Sequence, residues 1–144
     1  MEDKRLGPPQ DIPFHTGPPK PDVAKVAALS VKVTQLQVTV ITKGSGPIAK
    51  DGDFLTVYYR GELPDGFVFD ANAKAGGTPF TFQLGKGKVI KGWDLAIKGM
   101  RVGETRKIVI PSNLAYGSVS PGANIPANSA LTFYVNLTFV GNTP

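Results

Sequence analysis

Thr78–Met100 reads TPFTFQLGKGKVIKGWDLAIKGM, and inside this stretch the apolar period changes. From Thr78 to Leu84 the bulky apolar residues Phe80, Phe82 and Leu84 fall on alternate positions, the pattern of a strand with one buried face. From Val89 to Met100 they fall at Ile90, Trp93, Ile97 and Met100, which makes one stripe along a helix. Lys91, Asp94 and Lys98 lie on the other side, with Asp94 four residues ahead of Lys98, and Gly99 suits the helix end. The spacing therefore predicts one short helix over Val89–Met100, carrying the single tryptophan. A lone apolar stripe must be covered by something, and the rest of the chain offers strands.

Working outward, Thr34–Thr42 (TQLQVTVIT) alternates, which predicts a half-buried strand with Leu36, Val38 and Val40 turned inward. Gly44, Gly46 and Pro47 end it. Asp51-Gly52 turns into Asp53–Gly61 (DFLTVYYRG), and Pro64-Asp65-Gly66 makes a hairpin turn into a short strand over Phe67–Asp70. Thr105–Ile110 (TRKIVI) and Ala130–Val140 (ALTFYVNLTFV) are two further strong strands. The predicted fold class is α+β, antiparallel strands curled around one short α-helix.

Residues 1–33 hold six of the 13 prolines and read as a flexible, extended Pro-rich N-terminal segment; the folded domain is expected over residues 34–144. Within the segment, residues 23–31 (VAKVAALSV) suit a short helical turn, either transient or laid against the domain. The opening residues lack the apolar stretch of a secretory signal, so the expected location is cytoplasmic. No run of about 18 apolar residues is present to span a membrane.

Composition narrows the chemistry. The 144 residues include no cysteine and one histidine, His15, in the Pro-rich segment. Thiol nucleophiles, disulfides and cysteine-ligated or poly-histidine metal sites are excluded. A Ser-His-Asp triad would have to recruit His15 from the tail. Few of the usual catalytic groups remain, a clue that points to a reaction needing no strong nucleophile or general base.

Gly85-Lys86-Gly87-Lys88 before the helix invites a phosphate-loop reading, but its spacing fits neither dinucleotide nor P-loop patterns; a turn with solvated lysines is the plainer reading. The net charge is +5, and Lys86, Lys88, Lys91, Lys98, Arg101, Arg106 and Lys107 crowd one region against Asp94 and Glu104. No nucleic-acid motif accompanies them, so a solvated basic face is expected. Asn136-Leu137-Thr138 spells a glycosylation sequon in mid-strand and is set aside. Asp70, close behind Phe67 and Phe69, is either a turn carboxylate or an acceptor in an aromatic pocket. Tyr59, Phe69, Phe80, Phe82, Trp93, Tyr116 and Phe133 come from separate elements; they either all pack the core or line a concave pocket with a Trp base.

Taken in order, Tyr59-Arg60-Gly61, PDGFVFD (64–70), PFTFQLGKGKVIKGWD (79–94), GMRVGETRKIVIP (99–111), LAYG (114–117) and ALTFYVNL (130–137) resemble the FKBP-type, macrolide-binding family of peptidyl-prolyl cis-trans isomerases over residues 34–140. The resemblance implies a five- or six-stranded antiparallel sheet around one short helix. It implies a proline pocket with Trp93 as floor, Tyr59, Phe69 and Phe133 as walls, and Phe80, Val89, Ile90 and Ile125 completing the lining. Asp70, Tyr116 and Phe133 are the implied catalytic residues, with the Ile90 N–H and the Tyr116 hydroxyl as donors to substrate carbonyls. Residues 112–129 are the implied flap.

Three departures stand out. The loop ANAKAGGT (71–78) offers only Lys74 where many members place an Arg against the Asp. The flap carries Ser120, Ala123 and Asn124 where larger residues are common. Tyr134 replaces an acidic residue and is expected on the outer face.

The implied chemistry suits the composition. Rotation about a peptide bond costs about 18–20 kcal/mol, and an apolar pocket that withdraws water from the planar imide and fits its twisted form needs no covalent step, metal or cofactor. The expected partners are proline-containing polypeptides and rapamycin-like macrolides, held by a monomer with no part for nucleic acid or membrane. The alternative is a binding module or chaperone in which isomerisation is incidental.

Overall fold

The structure, a computed structural model, describes Ile12 and residues 15–144. The expectation of a flexible, extended segment lies, for residues 1–11, 13 and 14, outside the described residues. The elements in chain order are α1 (Val23–Ser30), β1 (Gln37–Thr42), β2 (Phe54–Glu62), β3 (Val68–Ala71), β4 (Phe80–Gln83), α2 (Lys91–Ala96), β5 (Thr105–Ile110), a 3-10 turn (Ser112–Leu114) and β6 (Leu131–Gly141). All ladders are antiparallel, in the order β1-β5-β6-β2-β3. The edge of β2 away from β6 is shared: β4 pairs with Phe54–Val57 and β3 with Arg60–Glu62. The sheet is six-stranded and open, and α2 lies in its hollow. Register shifts at Val40/Thr42, Thr56/Val57 and Gly61/Glu62 interrupt the ladders, and such irregularities sharpen the local twist that curls a sheet.

The core lies between the concave face of the sheet and α2. Leu55 and Val57 of β2, Ile108 and Ile110 of β5, and Leu131, Val135 and Leu137 of β6 are fully buried with Ile97 and Met100. Gly92 lets α2 approach β5, since a Cβ there would meet Ile110 Cγ2 at 2.6 Å. Phe82 and Leu84 point inward as their alternation predicts, whereas Phe80 stays 39% exposed at the rim of the hollow.

Three expectations need correction. The helix is half the predicted length. Arg106 donates to the carbonyls of Ala96 (2.8 Å) and Lys98 (3.3 Å), and Gly99 turns left-handed (φ 89°), so the chain leaves the helix after Ala96. The Asp94–Lys98 pairing is absent: Lys98 meets Asp51 at 3.1 Å and Asp94 binds backbone amides instead. Strand β1 forms but is not half-buried. Val38 (44%) and Val40 (48%) are exposed because β1 is the sheet's outermost strand, paired only to β5, while α2 packs over β2 and β6.

Residues 23–30 lie against the domain. Asp22 caps α1 by accepting from the Lys25 N–H (3.1 Å), and its own N–H donates to Asp65 in the β2–β3 turn (2.8 Å). Val26 joins the main core cluster, and the Ser30 hydroxyl oxygen accepts the buried Ala130 N–H at 2.9 Å. His15 Nε2 donates to the Gly66 carbonyl (2.9 Å). On the outer face, Arg60 lies 4.7 Å over the Tyr134 ring and pairs with Glu62 at 2.7 Å, so Tyr134 has the predicted placement. Asn136 is 5% exposed; its amide donates to the Glu104 carbonyl and to Thr105 Oγ1. Among the described residues no helix is long and apolar enough to cross a membrane.

Candidate functional site

The site is built on five elements, α2 and the strands β2, β3, β4 and β6. Trp93, on α2, is 4% exposed and forms a floor. Tyr59 of β2 (5.3 Å, 81°) and Phe133 of β6 (5.2 Å, 84°) meet it edge to face. Phe82 of β4 backs it at 5.5 Å, and Phe80 stacks on Phe82 at 5.7 Å. Phe69 of β3 stands at right angles to Phe133, 5.6 Å away. Edge-to-face pairs add about 0.5–1.5 kcal/mol each beyond area burial, and they fix ring orientation. The alternative that these aromatics merely pack the core fails: their arrangement leaves a hollow above the indole.

That hollow has a volume of about 210 Å³ and is lined by Tyr59, Phe69, Asp70, Phe80, Lys88, Val89, Ile90, Trp93, Tyr116 and Phe133. Nine of the residues singled out from the sequence therefore converge. Ile125 does not line it. It lines an adjoining hollow of about 270 Å³, with Pro121, Gly122, Ala123 and Asn124 of the flap on one side and Phe69, Asp70 and Tyr116 on the other.

The polar groups of the site are few and placed at the rim. The Tyr59 hydroxyl donates to Asp70 Oδ2 at 2.6 Å, so the partner of Asp70 is a phenol on β2 rather than a guanidinium. Lys74 does not reach this side; it lines a separate cavity with His15 and Arg60. Burial, first, and then the bond to Asp70 and its charge push the Tyr59 phenol well above its ordinary range. Burial and the Asp70 charge likewise raise Tyr116. Both phenols therefore keep their protons at neutral pH and act as donors. Among the described residues the Tyr116 hydroxyl and the Ile90 N–H have no hydrogen-bond partner, so both remain free to meet a carbonyl. Among the described residues the Trp93 Nε1–H is buried and unpartnered.

Several supporting residues escaped the sequence reading. Asn72 fastens the loop after β3: its side chain accepts the Tyr59 N–H (2.6 Å) and donates to the carbonyls of Val57 (3.3 Å) and Thr78 (3.0 Å). Gly61 makes room for two walls, because a Cβ would lie 2.6 Å from Phe69 Cζ and 2.7 Å from Phe133 Cε1. Asp94 takes the amides of Gly85 (2.8 Å) and Gly87 (3.1 Å). A carboxylate of the chain itself thus occupies the glycine turn, which disposes of the phosphate-loop reading. Only the turn glycines carried a local signal; the Asn72 and Gly61 roles depend on contacts across strands. Of the basic cluster, Arg101 donates to the Gly46 carbonyl, Arg106 ends α2 and Lys98 pairs with Asp51.

Comparison with known proteins gives a consistent picture. Residues 46–138 match the family model described as FKBP-type peptidyl-prolyl cis-trans isomerase. The chain is 52% identical over 120 residues to FK506-binding protein 4 of Aspergillus fumigatus, covering 82% of this chain and 24% of that protein. It is 55% identical over 95 residues to FK506-binding protein 4 of Saccharomyces cerevisiae, covering 65% of this chain and 23% of that protein. FK506-binding protein 2 of Yarrowia lipolytica is 43% identical over 124 residues, covering 83% of this chain and 85% of that protein. The chain thus spans about a quarter of the length of the FK506-binding protein 4 relatives it matches.

Proposed function

We propose that this chain, which belongs to the FKBP-type peptidyl-prolyl cis-trans isomerase family, accelerates cis–trans isomerisation of Xaa-Pro bonds by binding the prolyl ring above Trp93. The observation that carries the reading is the hollow of about 210 Å³, apolar at its floor and walls, with unpartnered donors from Ile90 and Tyr116 at its rim. Rotation must break amide resonance, at about 18–20 kcal/mol. In water the planar imide is favoured by hydrogen bonds to its carbonyl. Against the rings of Trp93, Tyr59, Phe69 and Phe133 that support is withdrawn. The Tyr116 hydroxyl then meets the carbonyl in its rotated position, and the Ile90 N–H holds the chain on the far side of the ring. Only contacts that strengthen as the bond twists accelerate it. Asp70 orients the Tyr59 hydroxyl and so fixes that wall. The same hollow suits the ring of a macrolide such as FK506, the ligand named in the relatives.

NMR exchange measurements on Xaa-Pro peptides test this. The chain should raise the interconversion rate well above background, and Trp93→Leu, folded by circular dichroism, should abolish the effect. A folded chain that leaves every peptide at its uncatalysed rate overturns the reading.

A further inference from the structure

The hollow beside the prolyl pocket differs from it in charge. The two share a wall made by Phe69, Asp70 and Tyr116, but Lys88 lines only the prolyl pocket. In the second hollow the far side is the flap segment 121–125, which supplies no charged side chain. Among the described residues Asp70 is therefore the one charged group lining it. Its carboxylate is exposed and accepts a single neutral donor, the Tyr59 hydroxyl; among the described residues no Lys or Arg forms an ion pair with it. Lys74, the nearest candidate in the following loop, lines a different cavity. Gly122 and Ala123 leave the space at the carboxylate unfilled, about 270 Å³ of it.

We infer that this hollow selects substrates with a cationic side chain, lysine or arginine, on the residue preceding proline. This rests on the prolyl ring lying above Trp93. With the ring there and Ile90 holding the chain on its carboxyl side, the preceding residue passes Tyr116 and enters the second hollow. A lysine stem covers Phe69 and Ile125 while its ammonium reaches the open side of Asp70. The flap and the carboxylate act together: small flap residues provide the length, and Asp70 provides the sign.

The test is isomerisation of a peptide series identical except before proline, with Lys, norleucine, Gln and Glu, measured by NMR exchange on the chain. Norleucine keeps the stem and removes the charge. Because Asp70 is exposed, the expected gain in kcat/KM of Lys over norleucine is about fivefold at low salt, the upper end for exposed pairs, and it should shrink toward unity at high salt. Glu should be the slowest. Asp70→Asn keeps an oxygen for the Tyr59 hydroxyl but removes the charge, and should bring the Lys/norleucine ratio to about one whatever it does to absolute rates. Ala123→Lys should invert the Lys/Glu order. Amide shifts induced by the Lys peptide should include Gly122–Ile125. Equal rates for Lys and norleucine, with clear catalysis of both, would refute the inference and leave the isomerase reading intact. Catalysis of none of the peptides would remove both.

Discussion

In the cup, Tyr59 and Phe133 each meet Trp93 edge to face and tilt against one another, with centroids 5.2–6.2 Å apart, and each of the three comes from a different helix or strand. Across from it the flap holds itself. The Ser120 hydroxyl sits 2.6 Å from the carbonyls of Gly122 and Ile125, the Ser129 hydroxyl donates to Pro126 (2.6 Å), and the Asn128 N–H donates to Gly117 (2.7 Å). Residues 118–124 are exposed throughout. The cup is part of the core, so its shape cannot change without cost to the whole fold. The flap rests on a handful of hydrogen bonds, each worth about 0.5–1.5 kcal/mol, and can be reshaped cheaply. Ring recognition is thereby tied to stability, while recognition of the neighbouring residue is not.

The sharpest way to break this contrast is Trp93→Ala. It should cost about 3–5 kcal/mol in urea unfolding and abolish isomerisation; a near-normal midpoint would show that the floor is not core. Gly61→Ala should follow, at about 1–3 kcal/mol, because the new methyl meets both Phe69 and Phe133. Its isomerisation rate should fall with the stability, and a crystal structure should show the two rings displaced.

Ser30→Ala tests where cup and flap join. It strands the buried Ala130 N–H at the flap root, for about 1–3 kcal/mol, and amide exchange should quicken from residue 127 to 130 while Trp93 fluorescence stays as it was. If exchange quickens equally across β2, α1 braces the whole domain rather than the flap. Ser120→Ala should be milder still, below about 1.5 kcal/mol, moving KM for bulky preceding residues more than kcat.

The smallest effect is on pH. Tyr59 and Tyr116 have raised folded-state values, so the stability they contribute is fully present below the ordinary phenol value of 10.0 and is lost as pH climbs through the folded values. Unfolding midpoints should be flat in this respect at neutral pH and decline above about pH 10. Tyr59→Phe should flatten that decline.

The strands were legible because their apolar alternation reports a face in contact with a core, and Thr105–Ile110 agrees to the residue. The floor was legible because one Trp on one helix stripe has few places to go. What could not be read was set by partners distant in sequence. Nothing near Lys98 announces that Arg106 will cap Ala96 and shorten the helix. Nothing in β1 says that it will end the sheet, so its valines looked buried. Asp70 found its partner in Tyr59 through strand register, with Gly61 opposite Asp70, rather than through the loop that follows. Ile125 went to the neighbouring hollow because the flap folds on its own carbonyls, with Gly122 bridged to Ile125.

The placement of Asn136 also fixes an order of events. Its amide is locked between β5 and β6, opposite Thr105 and Tyr58, so a sugar attached there could not be accommodated after the ladders close. Attachment beforehand would keep the ladders from closing. In any compartment that holds the glycosylating machinery, the sequon therefore becomes a race that rapid folding wins and slow folding loses. A destabilised variant passed through such a compartment would carry the record of its delay as added mass.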